Sequence, residues 1–403
     1  MKQELDIYNY PKRLEVALRQ LEESAISLRN KELILQFRDF CSLEGIGIPR
    51  IERYIGVLKK WAELLQVDFD KASKEDVMKA VRIVQESKHT AWTKATYKIM
   101  LKRFYKWLNG GEVHPEEVRW IHTTVKRTEK NLPANGDLLT EEEVKKLLDA
   151  AMHPRDKAFI ATLYESGARI GELASLQIKK VIFDENGAVL QVTGKTGPRP
   201  IRIVSSTPAL VMWLQHHPRK NDKESPLWLN IGKKNHQNLL RYDGIHSFLS
   251  RLFKQAGINK RFNPHLFRHS RATQMAQHLT EFQMNQYFGW IQGSKMPATY
   301  VHMSGKNLDQ SILAMNGIKP HKKPEEADFK PKVCPRCNQT NSPEATYCIK
   351  CAGILNLSEA MKQEEQMKET LKARTDADNL MTALVKDKEV FQLLARKIKE
   401  MSV

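Results

Sequence analysis

The sequence predicts a mainly α-helical protein with a small β-sheet. It reads as a helical domain, a mixed α/β domain, a small cysteine module and a final helix. Three observations predict this. Apolar residues recur at helical spacing through most of the chain. One turn-rich interval, Thr193-Gly194-Lys195-Thr196-Gly197-Pro198, separates two short runs of strand character. Four of the five cysteines fall in two CxxC pairs late in the chain.

The elements follow in order. Leu33, Ile34, Phe37 and Phe40 mark a first helix, with Cys41 on it as a small buried residue, and Gly45-Ile46-Gly47-Ile48-Pro49 breaks it. A second helix carries Ile51, Tyr54, Ile55, Leu58, Trp61 and Leu64-Leu65 on one side. Ser73 and Asp76 have capping-box spacing before a third helix, whose core face is Val77, Val81 and Val84. Thr90 to Leu108 is a helix rich in Lys and aromatic residues, stopped by Gly110-Gly111. These define a helical domain over residues 20–112, followed by a linker over 113–138. Thr140-Glu141-Glu142-Glu143 caps a new helix, and another ends near Ser166-Gly167. Strands are expected at 188–192 and 201–204, and the pattern is then helical to about Gly317, giving a mixed domain over 139–318. A Pro- and charge-rich linker leads to the cysteine module at 333–354. The final segment, 355–403, reads as an amphipathic helix with Leu380, Leu384, Phe391, Leu394, Ile398 and Met401 along one stripe.

Composition narrows the partners. Lys and Arg number 65 against 47 Asp and Glu, a net charge of +18 in 403 residues. Hydrophobic residues at 41% supply a sizeable core, so the chain is not wholly disordered. No apolar stretch approaches the roughly 18 residues of a membrane span, and Met1-Lys2-Gln3-Glu4-Leu5-Asp6 has no signal-peptide core. A cytoplasmic protein with a polyanionic partner, nucleic acid first, is the expectation. The surplus is localised: Lys195 to Thr273 holds 15 Lys or Arg and 3 Asp or Glu, whereas Leu355 to Val403 holds 9 of each.

The densest chemistry lies in Pro264-His265-Leu266-Phe267-Arg268-His269. His265 and Arg268 are three apart and share a helix face, where an arginine fork beside an imidazole can grip a phosphate and exchange a proton. A basic helix merely facing DNA phosphates has the same composition. Arg169 follows Gly167 at a helix boundary, with Glu172 three residues on, placed to orient the guanidinium or to form an ordinary surface pair. Tyr300 lies 32 residues beyond Arg268. Gly194-Lys195-Thr196 is not a P-loop, because position 189 is Val where that motif needs Gly. Tyr287 reads as core and Tyr242 as a loop residue, and His269 and His302 as secondary.

Ala168-Arg169-Ile170-Gly171-Glu172-Leu173, the hairpin Lys195, His265-xx-Arg268, Gly289-Trp290 and Tyr300, in that order and spacing, resemble the tyrosine recombinase (phage integrase) family. The resemblance spans about a third of the chain, and the helical domain upstream resembles the family's core-binding (SAM-like) domain. It implies a site-specific DNA recombinase whose two domains embrace double-stranded DNA from opposite faces, with salt-dependent affinity, as a nucleoid-associated homotetramer on two DNA sites. Tyr300 is then the nucleophile that forms a 3′-phosphotyrosyl link and releases a 5′-hydroxyl. Arg169 and Arg268 clamp the non-bridging oxygens, Lys195 protonates the leaving oxygen, and His265 assists proton transfer at Tyr300. Trp290 stands where many members carry His; it can donate a hydrogen bond and pack the nucleophile's helix but is no acid or base, so it is a positioning residue. Neither ATP nor a catalytic metal is implied. Alternatives are a type IB topoisomerase-like nicking-closing enzyme and an inactive integrase-derived DNA-binding protein, the latter opposed by the complete residue set.

Cys334-Pro335-Arg336-Cys337 and Cys348-Ile349-Lys350-Cys351 suit tetrahedral structural zinc, with iron–sulfur and redox roles as alternatives. Gly353 fits a tight turn after the second pair. Placed after Tyr300, this zinc-ribbon-like module resembles archaeal members of the family. The final helix is a docking helix, against its own domain or a neighbouring protomer.

Overall fold

The computed structural model describes residues 5–126, 135–232, 236–260, 262–303, 315–316, 331–343 and 345–356, with isolated positions between 365 and 397. Two compact units result. One comprises residues 1–138, 171–176 and 226–249; the other comprises 139–170, 177–225 and 250–403.

The first unit contains helices α1 (Tyr10–Glu22), α2 (Leu28–Leu43), α3 (Ile48–Leu65), α4 (Lys74–Glu86), α5 (Ala91–Leu108) and the short α6 (Glu116–Arg119). Their apolar stripes close on one core. Phe37, Leu58, Trp61, Val77, Leu101 and Phe104 are fully shielded, with Phe69 and Phe104 ring centroids 4.7 Å apart. Ser73 and Asp76 form the capping box that their spacing requires at the start of α4. Helix α1 precedes the first helix read from the sequence. Asp6 nucleates it by accepting hydrogen bonds from the backbone N–H groups of Tyr8, Asn9 and Tyr10.

The second unit is built around α8 (Pro154–Ser166), which is buried along almost its whole length and is packed by α7 (Glu141–Ala150), α10 (Thr207–His216) and α12 (Pro264–Met275). A three-stranded antiparallel sheet joins them: β1 (Val181–Asp184), β2 (Gly187–Gly194) and β3 (Gly197–Ile203). Gly194 pairs with Gly197, so Lys195 and Thr196 form a two-residue hairpin tip. The expected strands both exist and run longer. Strand β1 was not expected, since four residues of Val-Ile-Phe-Asp carry too little pattern. Helices α13 (Glu281–Phe288) and α14 (Met296–Met303) complete the helical part. Helices α9 (Ile170–Ala174) and α11 (Tyr242–Gln255) each contribute residues to both units.

The continuous helical pattern expected after the sheet is interrupted. Among the described residues of 218–241 there is no helix; Pro218 and Pro226 remove backbone donors, and Leu229 and Leu239 pair across an antiparallel bridge. Tyr242, expected in a loop, opens α11 and packs against the Tyr8 ring with centroids 5.2 Å apart.

Two small strands, β4 (Lys332–Val333) and β5 (Thr340–Asn341), carry the cysteine module. Most of the expected C-terminal stripe (Leu380, Leu384, Leu394, Ile398 and Met401) lies outside the described residues; Phe391 is helical and exposed. No helix among the described residues is long and apolar enough to cross a membrane.

Candidate active site and cysteine centre

A helix ends with backbone carbonyls that have no partner within the helix and with the negative end of its dipole. At the end of α13 these carbonyls recruit arginines. Arg199 Nε donates to Tyr287 O (2.9 Å), Arg268 Nη2 to Phe288 O (2.6 Å) and Arg169 Nη2 to Gly289 O (3.3 Å). Three consecutive carbonyls thus draw three guanidinium groups from β3, α12 and the loop before α9. Arg268 is buried and also donates from Nη1 to Gly167 O (3.0 Å), which ties α12 to the end of α8. Gly289 adopts φ +61°, a left-handed conformation suited to glycine, and a Cβ there would lie 2.7 Å from Arg199 Nη1.

Arg199 was not among the residues read from the sequence. Its signal was the period-two alternation of β3: Arg199 shares a face with the buried Ile201 and Ile203, whereas Pro198, Pro200 and Arg202 point to solvent.

Tyr300 projects from α14 into a stack of rings. Its ring lies parallel to Trp290 (interplanar angle 4°, centroids 5.4 Å apart), and Trp290 stacks on Phe288 at 4.9 Å. The Arg268 guanidinium carbon sits 5.1 Å from the Phe288 centroid and 5.4 Å from that of Trp290. The nucleophile candidate and the phosphate-clamp candidate therefore share one aromatic wall. Only 2% of Tyr300 is exposed, and the phenol hydroxyl is 2.7 Å from Nδ1 of His269. Burial raises the Tyr300 pKa above its ordinary value, and the Arg268 charge opposes that rise.

His265 opens α12 with its ring exposed. The helix is capped there by Asn263, whose Oδ1 accepts from His265 N (2.9 Å). Desolvation, then the Arg268 and Arg169 charges, lower the His265 pKa below the ordinary imidazole value. His269, one turn on, is lowered by burial first and then by His265 and Arg268. Both shifts favour the neutral form of the ring. Sequence reasoning set His269 aside as secondary; its signal was the i, i+4 spacing from His265. His302 is helical, and its side chain lies outside the described residues.

Lys195 is exposed at the hairpin tip. Its neighbour Thr196 donates from Oγ1 to Gly289 O (3.1 Å), so the tip is fastened to the same carbonyl that Arg169 uses. The structure thus gathers Arg169, Arg268, Trp290 and Tyr300 directly around the end of α13, holds His265 within electrostatic reach of both arginines, and carries Lys195 beside them on the tip.

Glu165 supports this arrangement from beneath. Its buried carboxylate accepts from the N–H groups of Val204, Ser205 and Ser206 (2.8, 2.9 and 2.7 Å) and from Ser206 Oγ (2.6 Å). This fixes the end of α8, two residues before Gly167, to the junction of β3 and α10. Replacing Glu165 by Ala leaves three backbone donors unpaired in a buried place. It is expected to destabilise the unit by about 3 kcal/mol or more, read as a lower midpoint in urea denaturation.

The four late cysteines form a separate centre. Their sulfurs all lie within 4.8 Å of one another, with Cys334–Cys351 and Cys337–Cys348 at 3.6 Å. A tetrahedron of sulfurs about 2.3 Å from a metal has edges near 3.8 Å, so four thiolates here could hold a metal ion. Both CxxC loops turn alike: Asn338 N donates to Cys334 O (2.9 Å) and Ala352 N to Cys348 O (2.8 Å), each donor residue at φ +53°. The left-handed residue of the second loop is Ala352 rather than the expected Gly353. Gly353 instead provides room, since a Cβ there would lie 3.3 Å from Cys351 Sγ.

Residues 137–306 match the profile of the phage integrase family. Tyrosine recombinase XerA of Pyrococcus horikoshii is 24% identical over 283 residues, covering 70% of this chain and 93% of that protein. In fold, the chain resembles XerH site-specific recombinase bound to palindromic difH substrate in a post-cleavage complex (TM-score 0.54, 17% identity, 78% of this chain and 98% of that one). It also resembles a lambda integrase tetramer bound to a Holliday junction (TM-score 0.52, 11% identity, 66% of this chain and 78% of that one). Residues 137–306 thus carry a phage integrase family domain.

Proposed function

We propose that the protein is a site-specific DNA recombinase that cuts and rejoins DNA through a covalent 3′-phosphotyrosine at Tyr300. The observation that carries this reading is the placement of the Tyr300 phenol and the Arg268 guanidinium against one Trp290 ring, with Arg169 on the neighbouring carbonyl. A phenol is a weak nucleophile at neutral pH, so its proton must leave as it attacks. Arg169 and Arg268 face the non-bridging oxygens, where charge gathers in the transition state. Lys195 delivers a proton to the leaving 5′ oxygen from the hairpin tip. His265 assists proton transfer, and Trp290 positions the nucleophile. The phosphotyrosyl bond retains the energy of the broken diester, so rejoining needs no ATP.

The helical domain over 20–112 and the mixed domain over 139–318 hold the duplex together, joined by the 113–138 linker. The lambda integrase assembly on a Holliday junction supports a homotetramer on two DNA sites, and DNA binding places the protein at the nucleoid. The four cysteines bind structural zinc: all four are thiol donors, which leaves no open position for substrate.

The test uses a duplex selected from random DNA and nicked beside the cut. The short cleaved piece diffuses away and traps the intermediate. The wild-type chain is expected to form a covalent adduct and Tyr300→Phe none; an adduct surviving in Tyr300→Phe overturns the assignment. Strand exchange between two copies of that site, rather than relaxation of a plasmid lacking it, separates a recombinase from a nicking-closing enzyme.

A further inference from the structure

We infer that His269 is a catalytic residue, the base that accepts the Tyr300 phenolic proton during attack. This rests on the recombinase reading and adds a residue to it.

The geometry is direct. His269 Nδ1 lies 2.7 Å from the Tyr300 hydroxyl, and this is the one polar contact of the phenol among the described residues. A base must be within about 3.2 Å of the proton it takes. With 98% of the tyrosine shielded, solvent does not compete for that proton. The two rings are held independently: Trp290 stacks on Tyr300, while His269 sits on α12 one residue after Arg268, whose hydrogen bonds to Gly167 O and Phe288 O fix that turn. The charged and titratable groups around the imidazole are Arg268 and His265 on its own helix and Tyr300 on α14, and both α12 neighbours favour the neutral ring that a base requires. His265 has no hydrogen bond to the phenol; its exposed ring, near Arg169 and Arg268, lies with the groups that meet the phosphate.

The step balances. The Tyr300 oxygen bonds to phosphorus, and its proton passes to His269 Nδ1. The bond from phosphorus to the 5′ oxygen breaks, and that oxygen takes a proton from Lys195. Rejoining runs both transfers backwards, so His269 returns its proton to the tyrosine.

The test compares adduct formation by wild type, His269→Asn, His269→Ala and Lys195→Ala. Two nicked substrates are used, one with the ordinary 5′ oxygen and one with sulfur in its place. Sulfur leaves as a thiolate and needs no acid. Asn at 269 can still accept the phenol hydrogen bond but cannot take up a proton. Both His269 variants are expected to be slower by about 100-fold or more on both substrates, while the sulfur substrate restores Lys195→Ala. Near wild-type rates in His269→Asn would show a merely structural contact and overturn the inference. Restoration of the His269 variants by sulfur would also overturn it, by placing the residue on the leaving-group side. Gel-shift binding of the same duplex confirms that each variant is folded. An adduct in Tyr300→Phe would instead defeat the recombinase reading itself.

Discussion

Arg268→Lys is expected to lower the rate of covalent DNA cleavage by at least about 100-fold although the positive charge is kept. Arg268 performs three tasks at once. It donates to Gly167 O and to Phe288 O, and it lies over the Phe288 and Trp290 rings. Lysine offers one nitrogen where the guanidinium spans two carbonyls contributed by different helices. One of those carbonyls, in a buried setting, then loses its partner, at a cost of about 1–3 kcal/mol. Trp290 loses the planar cation beneath it, and the Tyr300 ring loses its stop. Arg268→Ala removes the phosphate contact as well and is expected to fall by about 1,000-fold or more, with a lower thermal midpoint. Single-turnover cleavage of the nicked duplex, beside a melting curve for each variant, checks both. A Lys variant cleaving within a few-fold of wild type would show that charge alone suffices.

Metal removal is the second large effect. Among its described residues, the module spanning Lys332 to Asn356 has two strands of two residues and almost no apolar interior, with Cys334, Asn341 and Cys348 buried. Such a segment cannot offset the conformational entropy of ordering. A four-thiolate zinc site supplies on the order of 10 kcal/mol at neutral pH, enough to decide whether the module folds. Treatment with a strong chelator, or Cys348→Ser, is expected to expose Arg336 and Lys350 to trypsin at rates typical of unfolded chain. Adduct formation on nicked DNA should persist, because none of the described residues around Tyr300 comes from this module. Burial works against ionisation of Cys348, but the Cys351 and Lys350 backbone N–H groups outweigh it and pull its pKa down to about 6. Acidification is expected to release the metal, as protons displace it from the thiolates. Equal trypsin sensitivity of the loaded and stripped protein would refute a structural metal.

The helices were legible in the sequence wherever an apolar stripe and a cap coincided. Ser73 with Asp76, and Thr140 with Glu143, announce α4 and α7 because capping is a local interaction, complete within four residues. The hairpin was legible for the same reason. Strand β1 was not, since it is ordered by pairing with β2 rather than by its own residues. Around the candidate site, the family resemblance named Arg169, Lys195, His265, Arg268, Trp290 and Tyr300 but not their partners. That the α13 carbonyls take three arginines depends on contacts across 20 to 120 residues of chain, which no local pattern encodes. His269 was visible as a residue, yet only the fold of α14 against α12 gives it Tyr300 as a neighbour.

The Gly289 carbonyl carries a consequence of its own. Its oxygen has two lone pairs, and Arg169 and Thr196 each donate to it. One donor is the proposed phosphate clamp; the other anchors the tip bearing Lys195. Two binding events that draw on a common acceptor are thermodynamically linked, and linkage is reciprocal. Whatever factor phosphate capture by Arg169 applies to the seating of the tip, seating of the tip must apply to phosphate capture. The proposed acid and the proposed clamp are thus joined by a coupling free energy held in a single oxygen atom, at a backbone position whose left-handed turn is suited to glycine.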